Sequence, residues 1–509
     1  MLDSTLRLAL ETIQMNKQAL IFTPSRASAE KTAEDISKLA SGNYPELEQG
    51  VLHAASTPTK QCRRLSHCLK KGIAFHHAGL LSAQKELIEE GFKKGTVKII
   101  CCTPTLAAGL SLPAFRVIIK SLKRHNGTWG MDWIPVLEYL QMAGRAGRPE
   151  YESFGEAISI AKDEIEQEEI YEQYICGVPE EISSKLAVEP ALRTYLLSLI
   201  SSGIIRDEPG MQEFFAKTFW AHQYKDMQKL AGIMEKMLVL LEQWGMVNRG
   251  SSHSEFVSAR ALVSGEKKLM PTVIGKRVSE LYIDPLTAKH LLDCLKNFSS
   301  KKKSFSLLQM VSHTLEIRPR LRVKVKEEEK IQEQLVQRYD LLLEKEPSAY
   351  DPDYEEFIDS IKTALFLEAW IDEKDEDYLM ETFDIRPGEI RIKVDTTEWL
   401  LYAAEELAKA SNMGREVGKE LALLQIRVKN GVREDVLPLL KLKGIGRIRA
   451  RRLVNNGLRN LGDIKKADVT TLGQMLGKAL AEDVQKQVGE EIKEIPDGKR
   501  KGQLSIRKF

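Results

Sequence analysis

Residues 18–40 read QALIFTPSRASAEKTAEDISKLA, and this stretch sets the type of fold. Residues 18–24 form an apolar run typical of a buried strand, and the remainder has the spacing of an amphipathic helix. IAFHHAGL (73–80) repeats the plan, and VKIICCTPTLAAGLSLP (97–113) and FRVIIK (115–120) add a third and a fourth strand. Since strands alternate with helices, the sequence predicts an α/β domain with a doubly wound parallel sheet.

The composition is that of an ordinary globular protein, with 509 residues of which 43% are hydrophobic and 29% charged. About three or four domains are expected for this length. The net charge of +2 is nearly neutral, so a nucleic-acid footprint has to be a local basic patch. The six cysteines include no CxxC pair, so neither a disulfide framework nor a metal site is expected. We find no signal peptide and no apolar run of membrane-spanning length, which predicts a cytoplasmic protein without a membrane partner.

Polar side chains follow several of the predicted strands. Ser25, His76, Thr103 and Thr105 all come at or just after the end of an apolar run. Parallel sheets bind ligands beyond the carboxyl ends of their strands, so these residues are candidate ligand contacts. The alternative is that the hydroxyl groups only cap the helices that follow.

Two arginines flanked by glycines occur in EYLQMAGRAGRP (138–149). Gly144 and Gly147 leave little side-chain bulk around Arg145 and Arg148, so an anion can approach two guanidinium groups closely. Arginine suits phosphate because its planar fork forms bidentate hydrogen bonds. The alternative is a surface turn whose arginines are solvated.

Four stretches, IFTPSR, FHHAGL, TPTLAAGLSLPA and QMAGRAGRP, occur in the order and spacing of the second RecA-like domain of superfamily 2 helicases. More narrowly, the chain resembles the archaeal Hjm-type helicases, the repair helicases related to human HELQ. The resemblance implies that residues 1–175 are the second RecA-like domain, and the acidic residues 151–175 are expected to be helical. One departure is Ser111, where relatives often carry asparagine.

The resemblance also implies roles for the motif residues. Arg145 and Arg148 would be the arginine fingers that neutralise charge on the ATP phosphates during hydrolysis. Gln141 would contact the nucleotide or its attacking water, and Gly109 and Gly144 would lie beside the nucleotide. The residues that would hold the tracking DNA strand are Ser25, Arg26, His76, Thr103 and Thr105.

A hairpin is predicted within SLKRHNGTWGMDWIP (121–135), because Asn126-Gly127 is a strong turn signal. In the helicases that the chain resembles, a hairpin at this place splits the duplex. Trp129 and Trp133 would supply the apolar body of such a wedge, and Trp129 would contact DNA. The alternative is a surface loop whose tryptophans pack against the domain.

The sequence contains neither GxxxxGK[ST] nor a DExH-type acidic box. A helicase motor needs both, to hold the nucleotide phosphates and magnesium. We therefore expect that the first RecA-like domain is missing and that this chain alone binds ATP poorly and hydrolyses almost none. ATP and Mg²⁺ would be bound mainly by the missing domain, which a separate chain could supply. A split gene, a truncated gene prediction and a cloned fragment are equally open explanations.

The middle of the chain is predicted to hold two mainly helical domains. Residues 176–267 resemble a winged helix, with a plain packing module as the alternative. Residues 268–420 resemble a helical ratchet domain, in which Trp399 would stack on a base and Arg391 would be a weaker DNA contact. Stacking on an aromatic ring is tolerant of sequence, which suits a translocase. A buried core tryptophan is the alternative for Trp399.

Residues 421–495 are predicted to form a helix-hairpin-helix DNA-binding domain, from the run LKLKGIGRIRARRLVNNGLRNLGDI (440–464). Gly444 and Gly446 would let backbone N–H groups approach a phosphate at a helix N-terminus. The basic residues expected to bind the DNA backbone are Arg447, Arg449, Arg451 and Arg452. In the resembling helicases an arginine run like 449–452 acts as a brake on unwinding. The alternative is a hairpin used only for packing.

Residues 496–509 are expected to form a flexible tail. Gln503, Ile506 and Phe509 have the Q-x-x-I-x-x-F spacing of peptides that dock on sliding clamps, although such short motifs also arise by chance.

The sequence thus predicts the C-terminal portion of an ATP-dependent 3′–5′ DNA helicase. Its substrates would be single-stranded and forked or branched DNA in replication-coupled repair, in the cytoplasm and near the nucleoid. The alternatives are a non-catalytic DNA-binding adaptor that keeps a motor-like scaffold, and a fragment of an RNA helicase.

Overall fold

A five-stranded parallel sheet forms the centre of the first part of the chain in the computed structural model. The structure describes residues 3–54, 58–107, 112–125, 131–147, 153–186, 188–250, 268–299 and 304–489. The chain divides into two units. The first unit comprises Met1–Ala187, Thr218–Lys225 and Glu376–Lys393, and the second unit comprises Val188–Lys217, Asp226–Asp375 and Val394–Phe509.

The described strands are β1 Ala19–Phe22, β2 Ile73–His76, β3 Ile99–Cys102, β4 Arg116–Ile119, β5 Lys123–His125, β6 Met131–Trp133, β7 Glu156–Ser159, β8 Val247–Arg249 and β9 Leu269–Pro271. The large sheet has the order β2-β3-β1-β4-β7. Every neighbouring pair in it is parallel, with Ala19 of β1 opposite Ile99 and Arg116. The prediction of an α/β domain with a parallel sheet is confirmed.

Strands β1 to β4 are buried along their whole length. Strands of a parallel sheet with both faces covered are apolar without alternation, which is why these sequences are hydrophobic runs apart from His76 at the end of β2 and Arg116 at the start of β4. The fifth strand, β7, was not predicted, because 151–175 was expected to be helical throughout. Helix is found there only from Glu164 onwards.

Helices make up most of the rest of the first unit in its described part. Its α-helices are Ser4–Gln14, Arg26–Leu39, Pro45–His53, Lys60–Lys70, Ser82–Lys93, Val136–Ala143, Glu164–Ile170, Phe219–Tyr224 and Glu376–Phe383. A 3-10 turn covers Pro104–Leu106 and a π-helical turn covers Tyr171–Ile175. The sheet and the inner faces of several of these helices share one hydrophobic core.

The second unit is mainly helical in its described part. Its α-helices are Glu189–Ser201, Glu208–Ala216, Met227–Gln243, Val273–Leu281, Pro285–Lys296, Ser304–Ser312, Glu328–Gln337, Tyr354–Ile371, Arg415–Asn430, Arg447–Asn455, Leu461–Lys466, Val469–Leu476 and Lys478–Gly489. Three 3-10 segments cover Val325–Glu327, Tyr339–Leu341 and Glu434–Lys441. The helix Pro387–Ala410, with 24 residues, contains the boundary between the two units.

The region predicted as a winged helix begins with helices and ends in a small antiparallel pair, β8 with β9. Strand β9 begins at Leu269, just beyond the predicted boundary at residue 267. The C-terminal region has a hydrophobic core of its own, which includes Ala450 and Leu453. None of the helices in the described ranges is both long and apolar enough to span a lipid bilayer.

Candidate nucleic-acid and nucleotide site

An open cleft with a volume of about 810 Å³ lies beyond the carboxyl ends of β1 and β3 in the first unit. We call it the strand-end cleft. Its lining includes five residues predicted from separate motifs, namely Ser25, Arg26, Thr103, Thr105 and Gln141. These residues meet because β1 and β3 are parallel neighbours, so the loops that leave both strands emerge at the same edge of the sheet.

Ser25 and Arg26 begin the helix that follows β1. The Ser25 Oγ accepts a hydrogen bond from the Ser28 N–H at 3.2 Å, so the capping alternative is realised at this residue. Arg26 is half-buried and forms a close ion pair with Glu389. The Arg26 guanidinium is therefore held at the edge of the strand-end cleft by a carboxylate.

Thr103 and Thr105 flank the start of the 3-10 turn after β3. Their hydroxyl oxygens are 2.9 Å apart and hydrogen-bond to each other. Thr103 is half-buried and Thr105 is exposed. A hydroxyl group can both donate and accept, so this pair can also donate to a phosphate oxygen in the strand-end cleft.

The helix Val136–Ala143 presents Gln141 to the strand-end cleft, and Gln141 is exposed. Sequence reasoning missed the residue that caps this helix. The Glu180 carboxylate accepts hydrogen bonds from the N–H groups of Val136 at 2.6 Å and Leu137 at 3.1 Å. A carboxylate stabilises the unpaired N–H groups at a helix N-terminus, and these hydrogen bonds lower the pKa of Glu180.

Arg145 is half-buried, and its guanidinium donates to the backbone carbonyl of Ala107, from Nε at 3.2 Å and also from Nη2. In this structure the guanidinium thus ties the arginine motif to the loop after β3. This differs from the expectation of an arginine that reaches out toward a nucleotide. Arg148 and Gly109 lie outside the described residues.

Of the two glycines around Arg145, only one is required by its backbone conformation. Gly147 has φ +92°, a region that side chains disfavour, and a Cβ there would lie 3.4 Å from the backbone nitrogen of Gly155. Gly144 has φ −66°, an ordinary helical value.

His76 does not reach the strand-end cleft. It is buried, and its Nε2 lies 3.1 Å from Glu89 Oε1. Burial lowers the pKa of His76, although the hydrogen bond to Glu89 opposes this change. The side chain is therefore a neutral core group in this structure, unlike the DNA contact that was expected.

A buried carboxylate that was not predicted lies in the first unit, on the helix Arg26–Leu39 that begins at the strand-end cleft. Glu30 is 2% exposed. Its Oε1 lies 3.2 Å from His77 Nε2 and accepts from Gln61 at 2.9 Å, and Arg64 donates to its Oε2 at 2.6 Å. Arg386 adds an ion pair at 3.6 Å. Burial alone would raise the pKa of Glu30, but these partners together lower it from 4.5 to about 2.

The predicted hairpin is present, because β5 and β6 are antiparallel with Lys123 opposite Trp133. Trp133 packs on Tyr174 with ring centroids 5.8 Å apart, and the Lys123 ammonium lies 4.1 Å from its ring centroid. This is the packing alternative for Trp133. Trp129 and the turn Asn126-Gly127 lie outside the described residues. Arg124, on the same hairpin, lines the strand-end cleft and was missed.

In the second unit, Trp399 is half-buried, and its Nε1 donates to the Leu281 carbonyl at 3.2 Å. Arg391, on the same long helix, is exposed and belongs to the first unit. One edge of the Trp399 indole is thus anchored by the protein.

The glycines of the C-terminal motif have different backbone conformations. Gly444 has φ +80°, which favours glycine, whereas Gly446 has φ −99° and precedes the helix Arg447–Asn455. Arg449 donates to the Gly444 carbonyl and Arg452 to the Met475 carbonyl, both at 2.7 Å. Arg449 and Arg452 remain exposed to solvent.

Unlike Arg449 and Arg452, Arg447 and Arg451 are half-buried, and each contacts side chains of the second unit. Arg447 lies over the ring of Trp370, 4.8 Å from its centroid. Arg451 binds two carboxylates, Glu373 at 2.6 and 2.8 Å and Asp435 at 2.6 and 2.7 Å. These hydrogen bonds raise the pKa of Arg451. Arg451 therefore cross-links the arginine-rich helix to the rest of the second unit, rather than offering a bare charge to DNA as expected.

The predicted clamp-binding residues Gln503, Ile506 and Phe509 lie outside the described residues.

Two protein-family models match parts of this chain. Residues 2–150 match the helicase conserved C-terminal domain, and residues 305–431 match domain 4 of the archaeal helicases. The ATP-dependent DNA helicase Hel308 of Methanocella arvoryzae is 34% identical over 508 residues, which cover 97% of this chain and 66% of that protein. The proteins of the same name from Pyrococcus horikoshii and Pyrobaculum calidifontis are 36% and 35% identical, and this chain covers 67% of each.

The chain spans about two thirds of the length of the curated relatives that it matches. The alignments include nearly all of this chain, both the sheet-containing part and the helical part. The chain therefore belongs to the Hel308 helicase family.

Proposed function

We propose that this chain is the portion of an ATP-dependent DNA helicase that carries the second motor domain and the domains that track DNA. It would move 3′ to 5′ along single-stranded DNA and act on forked or branched DNA during replication-coupled repair, in the cytoplasm and near the nucleoid. The relatives are named ATP-dependent DNA helicases, which supports this assignment.

The observation that carries the proposal is the convergence of motif residues on the strand-end cleft. Ser25 and Arg26 come from the loop after β1, and Thr103 and Thr105 from the loop after β3. Hydroxyl and guanidinium groups are the side chains that hold phosphates without reading bases. An open cleft lined in this way suits the backbone of a single strand.

Fluorescence anisotropy with a labelled single-stranded oligonucleotide tests the DNA contact. We expect saturable binding whose affinity falls as salt concentration rises, because phosphate contacts release counterions. An RNA strand of the same sequence should bind more weakly. Equal or tighter binding of RNA would favour the RNA helicase alternative.

The nucleotide role needs a second test. We propose that Gln141, Arg145 and Arg148 complete an ATP site whose phosphate loop and Mg²⁺ ligands come from a further RecA-like domain, which a separate chain could supply. Hydrolysis of ATP would then be negligible with this chain alone. It should rise when the part of the Pyrococcus horikoshii relative that this chain does not match is added, and Arg148→Ala should abolish that rise.

Two further DNA contacts are proposed in the second unit. Trp399 would stack on a base, which is supported by its half-buried position and its anchored indole N–H. Arg449 and Arg452 would hold the exiting strand, since both are exposed. Docking of Gln503, Ile506 and Phe509 on a sliding clamp stays a proposal. Deleting residues 503–509 should abolish clamp binding.

A non-catalytic DNA-binding adaptor is the second candidate function. The hydrogen bonds from Arg145 to the Ala107 carbonyl favour it, because N–H groups that donate to the protein backbone are not available to donate to a nucleotide. The ATPase experiment separates the two candidates. An adaptor would bind the oligonucleotide but show no hydrolysis with the added domain.

A further inference from the structure

Three side chains with metal-ligating atoms meet in the second unit, outside every motif that the sequence singled out. They are His290, His313 and Glu344. His290 lies on the helix Pro285–Lys296, His313 directly follows the helix Ser304–Ser312, and Glu344 follows the 3-10 turn Tyr339–Leu341. The cluster therefore joins three segments that are separated in the sequence.

The ligand atoms are already close together. One atom from each residue lies within 4.8 Å of the other two. His313 Nδ1 is 2.8 Å from Glu344 Oε1, and His290 Nδ1 is 3.8 Å from Glu344 Oε2. Zinc bonds of about 2.0–2.2 Å in a tetrahedron place neighbouring ligand atoms about 3.4 Å apart. The observed separations need only modest adjustment to match this value.

The neighbours of the cluster hold the ligands in a suitable orientation. His290 Nε2 lies 3.0 Å from the Met310 carbonyl oxygen, which can only accept, so we assign the ring proton to Nε2. This leaves the lone pair of His290 Nδ1 toward Glu344. Metal-bound histidines commonly donate their second N–H to a backbone carbonyl in this way.

The carboxylate is oriented as well. Gln309 donates from Nε2 to Glu344 Oε1 at 2.6 Å, and Asn297 donates to the carbonyl of Leu343 at 2.9 Å, which fixes the segment that carries Glu344. The Gln309 side-chain oxygen is buried and has no hydrogen-bond partner among the described residues. A purely structural polar network is expected to satisfy such an atom.

We propose that His290, His313 and Glu344 form a binding site for zinc or a similar divalent transition metal, with water as a fourth ligand. Two imidazoles and one carboxylate are a ligand set that zinc accepts. All three side chains are between 17% and 20% exposed, so an ion can enter from solvent. Bound metal would cross-link three segments of the helical domain. None of these residues lines the strand-end cleft, so this site does not depend on the proposed function.

Cobalt spectroscopy on the tag-free 509-residue chain tests the site directly. We expect one equivalent of Co²⁺ to bind with visible d–d absorption, and Zn²⁺ to displace it. Glu344→Gln keeps the size of the side chain but removes its charge and replaces one acceptor oxygen with an NH₂ donor, and it should weaken Co²⁺ binding about tenfold or more. His290→Gln should do the same, whereas His67→Gln, which changes an exposed histidine of the first unit, should not.

A second readout guards against variants that fail to fold. Zn²⁺ should raise the Tm of the unsubstituted chain and not that of Glu344→Gln, because an ion that binds only the folded state stabilises it. Lack of saturable Co²⁺ or Zn²⁺ binding by the unsubstituted chain would overturn the proposal. Unchanged affinity in both cluster variants would also overturn it.

Discussion

The strand-end cleft and the arginine-rich C-terminal helix were both predicted to contact DNA, but their polar groups are used differently. In the cleft, Thr103 and Thr105 bond mainly to each other and stay accessible. On the arginine-rich helix Arg447–Asn455, Arg451 forms ion pairs with two carboxylates, those of Glu373 and Asp435. A motif can therefore indicate where a functional surface lies while tertiary partners decide which of its residues remain available to a ligand.

The largest expected effect concerns the buried carboxylate of Glu30 in the first unit. Glu30→Gln should lower the free energy of unfolding by about 3 kcal/mol near neutral pH, because the buried carboxylate is stabilised in its charged form. The folded-state pKa of about 2 lies below the ordinary 4.5. This contribution is therefore complete above about pH 4.5 and is lost as pH falls toward 2.

Urea denaturation at neutral pH and at about pH 3 checks this expectation for both proteins. The difference in unfolding free energy between the unsubstituted chain and Glu30→Gln should shrink at the lower pH. A difference that stays constant with pH would contradict the role of the Glu30 charge.

The next effect distinguishes a structural arginine from a DNA-binding one. Arg451→Ala leaves Glu373 and Asp435 without their shared partner, and it should lower the free energy of unfolding by about 2 kcal/mol. Arg449→Ala is the matched control. It removes an exposed guanidinium from the same helix, and its effect on stability should stay below about 0.5 kcal/mol. Urea denaturation measures both.

DNA affinity should rank these two arginine variants in the opposite order. Arg449→Ala should weaken binding of single-stranded DNA more than Arg451→Ala does. If Arg451→Ala were as stable as the unsubstituted chain and bound DNA poorly, the conclusion that Arg451 has a structural role and not a DNA-binding one would be wrong.

A smaller effect is expected in the cleft itself. The double change Thr103→Val and Thr105→Val removes two hydroxyl groups that can donate to phosphate, and it should weaken single-strand binding about tenfold, at about 0.7 kcal/mol per hydrogen bond. Valine matches threonine in shape, so the Tm should change little. Fluorescence anisotropy and thermal melting on the same samples provide the two readouts.

The smallest expected effect concerns the two glycines on either side of Arg145, Gly144 and Gly147. Gly147→Ala should lower the free energy of unfolding by about 1 kcal/mol, because φ +92° disfavours a side chain. Gly144→Ala, at φ −66°, meets no such backbone restriction and should lower it less, although its Cβ would lie 3.0 Å from the Leu140 carbonyl oxygen. If both substitutions lowered the free energy of unfolding equally, the positive φ of Gly147 would not be the reason that glycine occupies that position.

The sequence was sufficient to predict most of the parallel sheet. Strands β1 to β4 are buried, so each has at least three consecutive apolar residues that stand out from their surroundings. The fifth strand, β7, escaped prediction because it lies at the edge of the sheet, is only partly buried and begins with Glu156 in an acidic stretch.

The candidate site was predictable where its residues share a motif, and unpredictable where they meet across the chain. Ser25, Thr103 and Gln141 each belong to a short recognisable stretch. Glu180 lies about 40 residues after the N-terminus of the helix Val136–Ala143 that it caps, and Glu30 forms an ion pair with Arg386, which is more than 300 residues away in the sequence. Such long-range pairs leave no periodic or local pattern in the sequence. The cluster of His290, His313 and Glu344 could not be predicted for the same reason.

The measurement that most directly tests the central claim, that the strand-end cleft binds a single strand, is hydrogen exchange with and without a thymidine oligonucleotide. The account predicts slower exchange of backbone amides at residues 25–28 and 105–107 when the oligonucleotide is bound, since these loops form the cleft. Unchanged exchange in both loops at saturating oligonucleotide would contradict it.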